Sequence, residues 1–180
     1  MTALPRSCLL TKEEIAKTLY RLACEVVEQH GKLNEVVLIG IHTRGVHLAR
    51  RLRALIRERE GIQLPLGILD ITFYRDDLTA IGPKPVVRET KVDFDLQGKT
   101  VILVDDVLFT GRTVRAALDE IIDFGRPQRI ELLVLVDRGH RELPVKADYV
   151  GKNIPTQRNA VVEVRVQEHD GADEVILKKR

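Results

Sequence analysis

Residues 101–113 read VILVDDVLFTGRT and constrain the fold more than any other stretch of the chain. The first four are apolar and mostly β-branched, as in a strand that is buried on both faces of a parallel sheet. A short loop follows, and apolar residues then recur at helical spacing until Gly125, which is followed by Pro127. The segment predicts a strand, a loop and a helix of an α/β fold, with residues 110–113 at the helix N-terminus.

Strands and helices alternate along the rest of the chain. The predicted elements are a capped amphipathic helix from residue 11 to about 31, a strand over 36–41, a helix over 46–59, and strands over 66–74, 130–136 and 160–166. Residues 75–97 are rich in Pro, Gly, Lys and Asp, and we expect a long excursion with a hairpin there. The repeated order of strand, helix and strand predicts a parallel, doubly wound sheet.

The chain has 180 residues, of which 44% are hydrophobic, enough for one domain with a sizeable core. Its formal net charge is only +2, so any RNA contact must come from local clusters of basic residues. No apolar run approaches the roughly 20 residues that span a bilayer, and the N-terminus has no long apolar signal segment. Cys8 and Cys24 have neither metal-ligand nor redox spacing. We therefore expect a single cytoplasmic domain over residues 1–180.

The residues after the strand suit a phosphate group. The first turn of a helix offers free N–H groups and a positive dipole end, Gly111 allows close approach, and Thr110 and Thr113 add hydroxyl donors. A hydrogen bond to a charged group contributes about 1.5–3 kcal/mol, so three or four supply about 8 kcal/mol, the binding energy of a micromolar ligand. Arg112 is therefore not essential to phosphate binding.

Asp105 and Asp106 are acceptors when ionised and suit a diol such as the ribose 2′ and 3′ hydroxyls. Neighbouring side chains on an extended chain point to opposite sides, so the two carboxylates converge on one ligand only if the strand ends there. Paired acids after a strand also occur as Walker B-like or phosphoacceptor residues, or at a solvated strand end. The following TGRT favours the sugar phosphate, and the chain has no P-loop and no GxGxxG motif.

A second loop, at residues 43–45, joins a predicted strand to a helix. The exposed N–H groups of such a turn and the guanidinium of Arg44 suit a pyrophosphate. An arginine at a helix start is equally an ordinary surface residue. The residues alone leave both interpretations open.

VILVDDVLFTGRT resembles the phosphoribosyl-pyrophosphate motif of the type I phosphoribosyltransferases. Three further stretches narrow the resemblance: GIHTRG at 40–45, DITFYRDDL at 70–78, and VDRGHRELP with ADYVGKNIPT within 136–156. Together, and over nearly the whole chain, they are similar to the bacterial branch that combines regulation of the pyrimidine operon with uracil phosphoribosyltransferase activity.

The resemblance implies the fold, the reaction and the cofactor. The fold is the type I phosphoribosyltransferase fold: α/β, a parallel doubly wound sheet flanked by helices, with a flexible loop or hairpin and a small hood. In the reaction, uracil N1 attacks C1 of 5-phosphoribosyl 1-pyrophosphate (PRPP) as diphosphate leaves, giving UMP. The cofactor is Mg2+, held mainly by PRPP with no direct protein ligand.

The resemblance also implies roles for particular residues. Arg44 neutralises the leaving diphosphate, and Arg88, from the excursion that closes over the substrate in related enzymes, is a candidate for the same role. As a residue alone, Arg88 is also an ordinary solvated loop charge. Asp105 and Asp106 complete the predicted catalytic set, and backbone groups around Val162 are expected to meet the base. The predicted substrate-binding residues are Thr43, Arg44, Arg88, Asp105, Asp106, Val107, Leu108, Phe109, Thr110, Gly111, Arg112, Thr113, Arg138 and Val162.

The same resemblance implies that the chain binds the mRNA leader of the pyrimidine operon and forms a homodimer or a larger homo-oligomer. The candidate RNA contacts are Arg141, Lys146, Lys152 and Arg158, which as residues alone are equally a solvated basic surface. The first helix carries Tyr20, Cys24 and Gln29 where polar or basic RNA contacts are expected, with Arg21 as a partial substitute. We therefore expect RNA specificity or affinity to differ from that of the family.

Two alternatives to this bifunctional interpretation stay open. The chain could be an RNA-binding regulator with little catalytic role, or a type I enzyme for another base. An orotate enzyme would need extra cationic groups, and a purine enzyme usually places an aromatic ring over the base. Since aromatic residues make up only 4% of the chain and VDRGHRELP is present, uracil is favoured.

Overall fold

The computed structural model describes residues 6–71 and 90–178. Its strands are β1 (Arg6–Leu10), β2 (Val36–Ile41), β3 (Leu66–Leu69), β4 (Thr100–Leu108), β5 (Arg129–Asp137), β6 (Tyr149–Asn153), β7 (Val161–Arg165) and β8 (Glu174–Lys178). Its α-helices are α1 (Lys12–Gln29), α2 (Arg44–Glu60), α3 (Arg112–Phe124) and α4 (Gln167–Asp170), and a 3-10 turn covers Leu33–Glu35. Within the two described ranges, no helix is both long and apolar enough to cross a membrane.

The central sheet has the strand order β3-β2-β4-β5-β6, and each neighbouring pair is parallel. Because successive side chains on a strand point to opposite faces, Leu38 packs in the core formed with α1 and α2, whereas Ile39 packs in the core formed with α3. Helices on both faces confirm the predicted doubly wound sheet.

A smaller antiparallel sheet has the order β1-β8-β7, and β7 packs against β4 of the central sheet. Burial alternates along β7, as predicted for a half-exposed strand. The sequence analysis predicted neither β6 of the central sheet nor β1 and β8 of this one. Strands β1 and β8 are short, come from opposite ends of the chain and pair Cys8 with Ile176. This sheet is the hood that the family resemblance implies.

The other predicted boundaries are confirmed or corrected as follows. The capping box of α1 is present, with the Glu14 N–H donating to Thr11 Oγ1 and the Thr11 N–H to the Glu14 carboxylate. The strand predicted over 66–74 ends at Leu69. Within the last part of the excursion the chain returns beside β3, where Ile68 and Lys91 exchange two backbone hydrogen bonds of 2.8 Å. Most of the excursion, including Arg88, lies outside the described residues.

Candidate active site

The candidate site lies where β2, β4 and β5 end, side by side, at the carboxyl edge of the central sheet. Helix α2 begins three residues after β2, at Arg44, and helix α3 begins at Arg112, soon after β4. Both helices therefore direct N-terminal amide groups and a positive dipole end toward this edge. Ligands of parallel α/β sheets bind at such edges.

Strand β4 loses one neighbour just before the paired acids. Its pairing with β2 ends at Val104, whereas its pairing with β5 continues to Leu108. Strand β4 therefore continues past the acids on its β5 side and has ended before them only on its β2 side. Asp105 Oδ1 accepts from the N–H of Asp106 and Asp106 Oδ1 from that of Val107, each at 2.9 Å. The two side chains thus satisfy backbone N–H groups at the end of β4.

The two carboxyl groups share an unfavourable electrostatic environment. Burial and the neighbouring Asp106 charge raise the pKa of Asp105 well above its usual range. Burial also raises the pKa of Asp106, although hydrogen bonds and the Arg44 charge oppose this rise. Hydroxyl donors or a nearby cation would stabilise the ionised forms of both groups, since either would replace the hydration lost on burial.

Two glycines of the GIHTRG stretch bring the α2 N-terminus against β4. A Cβ on Gly40 would lie 2.6 Å from the Val46 Cα. A Cβ on Gly45 would overlap the carbonyl oxygen of Val104 and lie 3.2 Å from the Asp105 Cα. Glycine at both positions therefore sets the short separation between the paired acids and the pyrophosphate loop, residues 42–45, so named for its predicted role.

Residues 110–113, here called the phosphate loop after their predicted role, form the N-terminus of α3, which confirms the predicted start of this helix. Gly111 is the N-cap of α3 and has a φ of 91°, a conformation that favours glycine. A Cβ there would also lie 3.2 Å from the Val145 side chain. The amide groups of residues 111–113 consequently stand at the positive end of α3 and can approach an anion closely.

The loop after β5 donates hydrogen bonds to the end of β4 and to the phosphate loop. Arg138 N–H donates to the Leu108 carbonyl at 3.1 Å, and Glu142 N–H donates to the Thr110 carbonyl at 2.9 Å. Arg141 donates to the carbonyls of Phe109 at 2.9 Å and Val145 at 3.0 Å, and forms an ion pair with Asp137. Arg141, predicted as an RNA contact, thus makes internal contacts that position the phosphate loop.

We expect Arg141→Lys to weaken PRPP binding and to lower the thermal unfolding midpoint by a few degrees, about 2–4 °C for each kcal/mol lost. A lysine ammonium cannot reach three acceptors at once in the planar arrangement of a guanidinium. Calorimetry and a PRPP titration measure the two effects, with Arg115→Lys on the exposed side of α3 as the control. Unchanged PRPP binding in Arg141→Lys would contradict the positioning role.

Arg138, a predicted substrate contact, is only 5% exposed, and its guanidinium lies 4.1 Å from the centre of the Phe109 ring. Its Nη2 donates to the Gln157 carbonyl at 3.0 Å, and its buried Nε has no hydrogen-bond partner among residues 6–71 and 90–178. Burial lowers the pKa of the guanidinium. A cavity of about 590 Å³ adjoins it, lined by residues 137–141 and 153–156. A buried donor beside a cavity is able to hydrogen-bond a bound base.

Arg44 makes a contact that the sequence analysis missed. Its Nε and Nη2 donate to the two carboxylate oxygens of Asp170 at 3.0 and 2.7 Å, and this contact lowers the pKa of Asp170. The predicted neighbour Thr43 is the N-cap of α2. The sequence contains acids at 168, 170 and 173 and arginines at 44 and 51, which could have suggested ion pairs between the two segments. Only the fold shows that these segments meet.

The remaining predicted residues are distributed over the fold. Val162 lies in β7 opposite Leu177 and its side chain is buried. Lys146 lines a groove beside α3, whereas Lys152 donates to the Leu9 carbonyl near α1, on the other face of the sheet. Arg158 is exposed and pairs with Glu142. Arg141, Lys146 and Arg158 thus lie in or beside residues 141–146, whereas Lys152 lies near the N-terminus of α1.

Residues 6–169 match the phosphoribosyl transferase domain family. The chain is 60% identical to the bifunctional protein PyrR of Thermus aquaticus over 94% of this chain and 93% of that protein. It is 56% identical to the bifunctional protein PyrR of Deinococcus radiodurans, over 98% and 96% of the two chains. The chain belongs to the PyrR family of phosphoribosyltransferases.

Solved structures agree with this family fold. The hypoxanthine phosphoribosyltransferase of Trypanosoma cruzi superposes with a TM-score of 0.72 at 20% identity, over 96% of each chain. That of Staphylococcus aureus gives a TM-score of 0.70 at 22% identity, over 97% of this chain and 92% of the other. At such identities the likeness establishes the type I phosphoribosyltransferase fold alone, and family membership rests on the PyrR relatives.

Proposed function

We propose that this PyrR-family protein transfers a phosphoribosyl group from PRPP to uracil, producing UMP and diphosphate. One observation carries the proposal: Asp105 and Asp106, the glycine-capped N-terminus of α3 and the Arg44 loop meet at one edge of the sheet. PRPP carries a diol, a 5′-phosphate and a pyrophosphate, and each group has a chemically matched partner at this edge.

In the proposed complex, the carboxylates of Asp105 and Asp106 accept hydrogen bonds from the ribose hydroxyls, and the amide groups of residues 110–113 bind the 5′-phosphate. Arg44 stabilises the negative charge that grows on the departing diphosphate. Arg138 lies next to the cavity that would receive the base. Since uracil N1 is the nucleophile, no covalent intermediate with the protein is required.

Mg2+ fits this site as a cofactor. The raised pKa values of Asp105 and Asp106 show that their buried negative charge is incompletely compensated, and hard oxygen donors suit this ion. Bound chiefly by PRPP oxygens with no direct protein ligand, Mg2+ would neutralise diphosphate charge, and its positive charge would favour the ionised forms of Asp105 and Asp106. Arg88 remains a proposed second cation for the same charge.

A substrate panel tests the enzymatic proposal. We expect UMP to form from uracil and PRPP in the presence of Mg2+, with little product from orotate or hypoxanthine. Each reaction is followed by chromatography of the nucleotide, and omission of PRPP is the control. Product from hypoxanthine or orotate instead of uracil would show that the chain is a type I enzyme for another base.

We also propose that the protein regulates pyrimidine genes by binding their mRNA leader in a nucleotide-dependent way. The high identity to proteins named bifunctional PyrR supports this second activity. Lys146, Lys152 and Arg158 are exposed, so their side chains are accessible to RNA. Arg158 and Lys146 lie beside the loop after β5, whereas Lys152 lies near the N-terminus of α1.

A filter-binding titration with leader RNA, with and without UMP and at two salt concentrations, tests the regulatory proposal. We expect UMP to strengthen binding and salt to weaken it, because basic side chains displace counterions from RNA. Lys152→Ala and Arg158→Ala should weaken binding, whereas Lys32→Ala, beside the opposite edge of the sheet, should not. RNA binding that does not depend on UMP would contradict the regulatory proposal and would leave the enzymatic proposal unaffected.

We infer further that residues 1–180 act as a single cytoplasmic domain that self-associates. Large apolar side chains are exposed on two helices: Tyr20 of α1 is 56% exposed and Ile122 of α3 is 64% exposed. A second copy that covers them would remove apolar area from water. Light scattering after size exclusion measures the number of subunits.

A further inference from the structure

We propose that Asp170 is a positioning residue for pyrophosphate binding, which it serves by orienting the guanidinium of Arg44. This inference rests on the proposed function and extends it to a residue of the hood. The two hydrogen bonds from Arg44, at 3.0 and 2.7 Å, engage both oxygens of Asp170. Such two-point pairing fixes the plane of the guanidinium as well as its position.

The pairing uses only one edge of Arg44. Nε and Nη2 bind Asp170, and within residues 6–71 and 90–178 the structure gives Nη1 no hydrogen bond. A guanidinium has five N–H donors, so the Nη1 edge keeps donors for an anion while Asp170 holds the other edge. The Arg44 side chain is 28% exposed, which leaves it accessible to a ligand.

Asp170 is itself firmly held. Its Oδ2 also accepts from the Val166 N–H at 2.9 Å, at the end of β7. The same turn docks on α2 through Arg51, which donates to Glu168 at 2.9 and 2.6 Å and to Asp173 at 2.6 Å. Arg44 and Arg51 are seven residues apart and share one face of α2. The hood therefore places the Asp170 carboxylate at a defined point beside the pyrophosphate loop.

For Asp170→Asn, the proposal and simple charge repulsion predict opposite changes in the affinity for pyrophosphate. If Asp170 acted only through its negative charge, Asp170→Asn would tighten the binding of an anion at Arg44. If Asp170 orients Arg44, the same variant leaves the guanidinium free to adopt several rotamers, and pyrophosphate binds more weakly. UMP has no pyrophosphate, so its affinity should not depend on Arg44 orientation in either case.

The experiment measures the affinities of magnesium pyrophosphate and of UMP by titration calorimetry in wild-type protein, Asp170→Asn and Glu168→Gln. We expect Asp170→Asn to weaken pyrophosphate binding about tenfold, the usual scale for a residue that orients a binding group, and to leave UMP binding unchanged. Glu168→Gln removes one pairing of the same turn but leaves Arg51 paired with Asp173 and Asp170 bonded to the Val166 N–H, so it should change neither affinity.

Equal or tighter pyrophosphate binding in Asp170→Asn would overturn the proposal, as would a parallel loss of UMP binding, which indicates a displaced hood. A double-mutant cycle gives independent evidence if Asp170→Asn folds poorly. In an Arg44→Lys background Asp170→Glu should have no further effect on pyrophosphate, whereas in wild-type protein it should weaken binding; additive effects would also overturn the proposal. Failure of wild-type protein to bind PRPP would instead reject the proposed function itself.

Discussion

Asp106→Asn is expected to weaken PRPP binding about 10- to 100-fold, because the loss of a charged hydrogen-bond acceptor costs about 1.5–3 kcal/mol. The same change should raise the thermal unfolding midpoint, since it removes one of two adjacent buried charges. Asparagine keeps an oxygen for the Val107 N–H, so the backbone of β4 need not change. Titration with PRPP and thermal unfolding measure the two opposite effects.

The free energy of unfolding and the affinity for PRPP should change with pH in opposite directions. The pKa values of Asp105 and Asp106 are raised in the folded protein, so it binds these protons more tightly than the unfolded chain does. The free energy of unfolding should therefore fall as pH rises from the ordinary carboxyl pKa through the raised values. PRPP binding should change the other way, because the ribose hydroxyls need ionised acceptors. Asp106→Asn should make both profiles shallower.

Asp119→Asn is the matched control, since Asp119 is exposed on α3 and pairs with Arg115 four residues away. We expect wild-type PRPP affinity and nearly wild-type stability in that variant. Wild-type kinetics in Asp106→Asn would contradict the assignment of this carboxylate to the ribose diol. An unfolding midpoint below wild type would contradict the electrostatic account of the pair.

Gly45→Ala is expected to lower both stability and activity. The added Cβ would overlap the Val104 carbonyl oxygen, a backbone atom of a central strand that cannot move aside freely. Helix α2 must then shift away from β4, which separates Arg44 from Asp106. Overpacking of this kind costs about 1–3 kcal/mol or more, and we expect the unfolding midpoint to fall by about 3–10 °C.

Gly31→Ala provides the control, because a Cβ at Gly31 would have no atom within 4 Å. Its unfolding midpoint should stay close to that of wild type. Thermal unfolding and uracil phosphoribosyltransferase assays on both variants measure the contrast. If Gly45→Ala kept the wild-type midpoint and activity, the close approach of α2 and β4 would not be required for the site.

Some of these features follow from local sequence. The apolar run, the acids and the TGRT cluster of residues 101–113 predicted β4 and the N-terminus of α3, because each depends on neighbours a few residues away. The Thr11 capping box predicted the start of α1 for the same reason. Strands β1 and β8 escaped prediction because five-residue strands gain their stability from pairing, here between opposite ends of the chain.

The sequence by itself determined the parallel α/β architecture, the helix N-terminus at residues 110–113 and the family, since periodicity and motifs are local properties. Only the tertiary structure decided what Arg141 and Arg44 contact. Arg141 resembled an exposed basic residue but lies against the phosphate loop, and Arg44 pairs with Asp170, 126 positions away. Such contacts depend on the path of the whole chain, which places distant charges together where burial makes their pairing favourable.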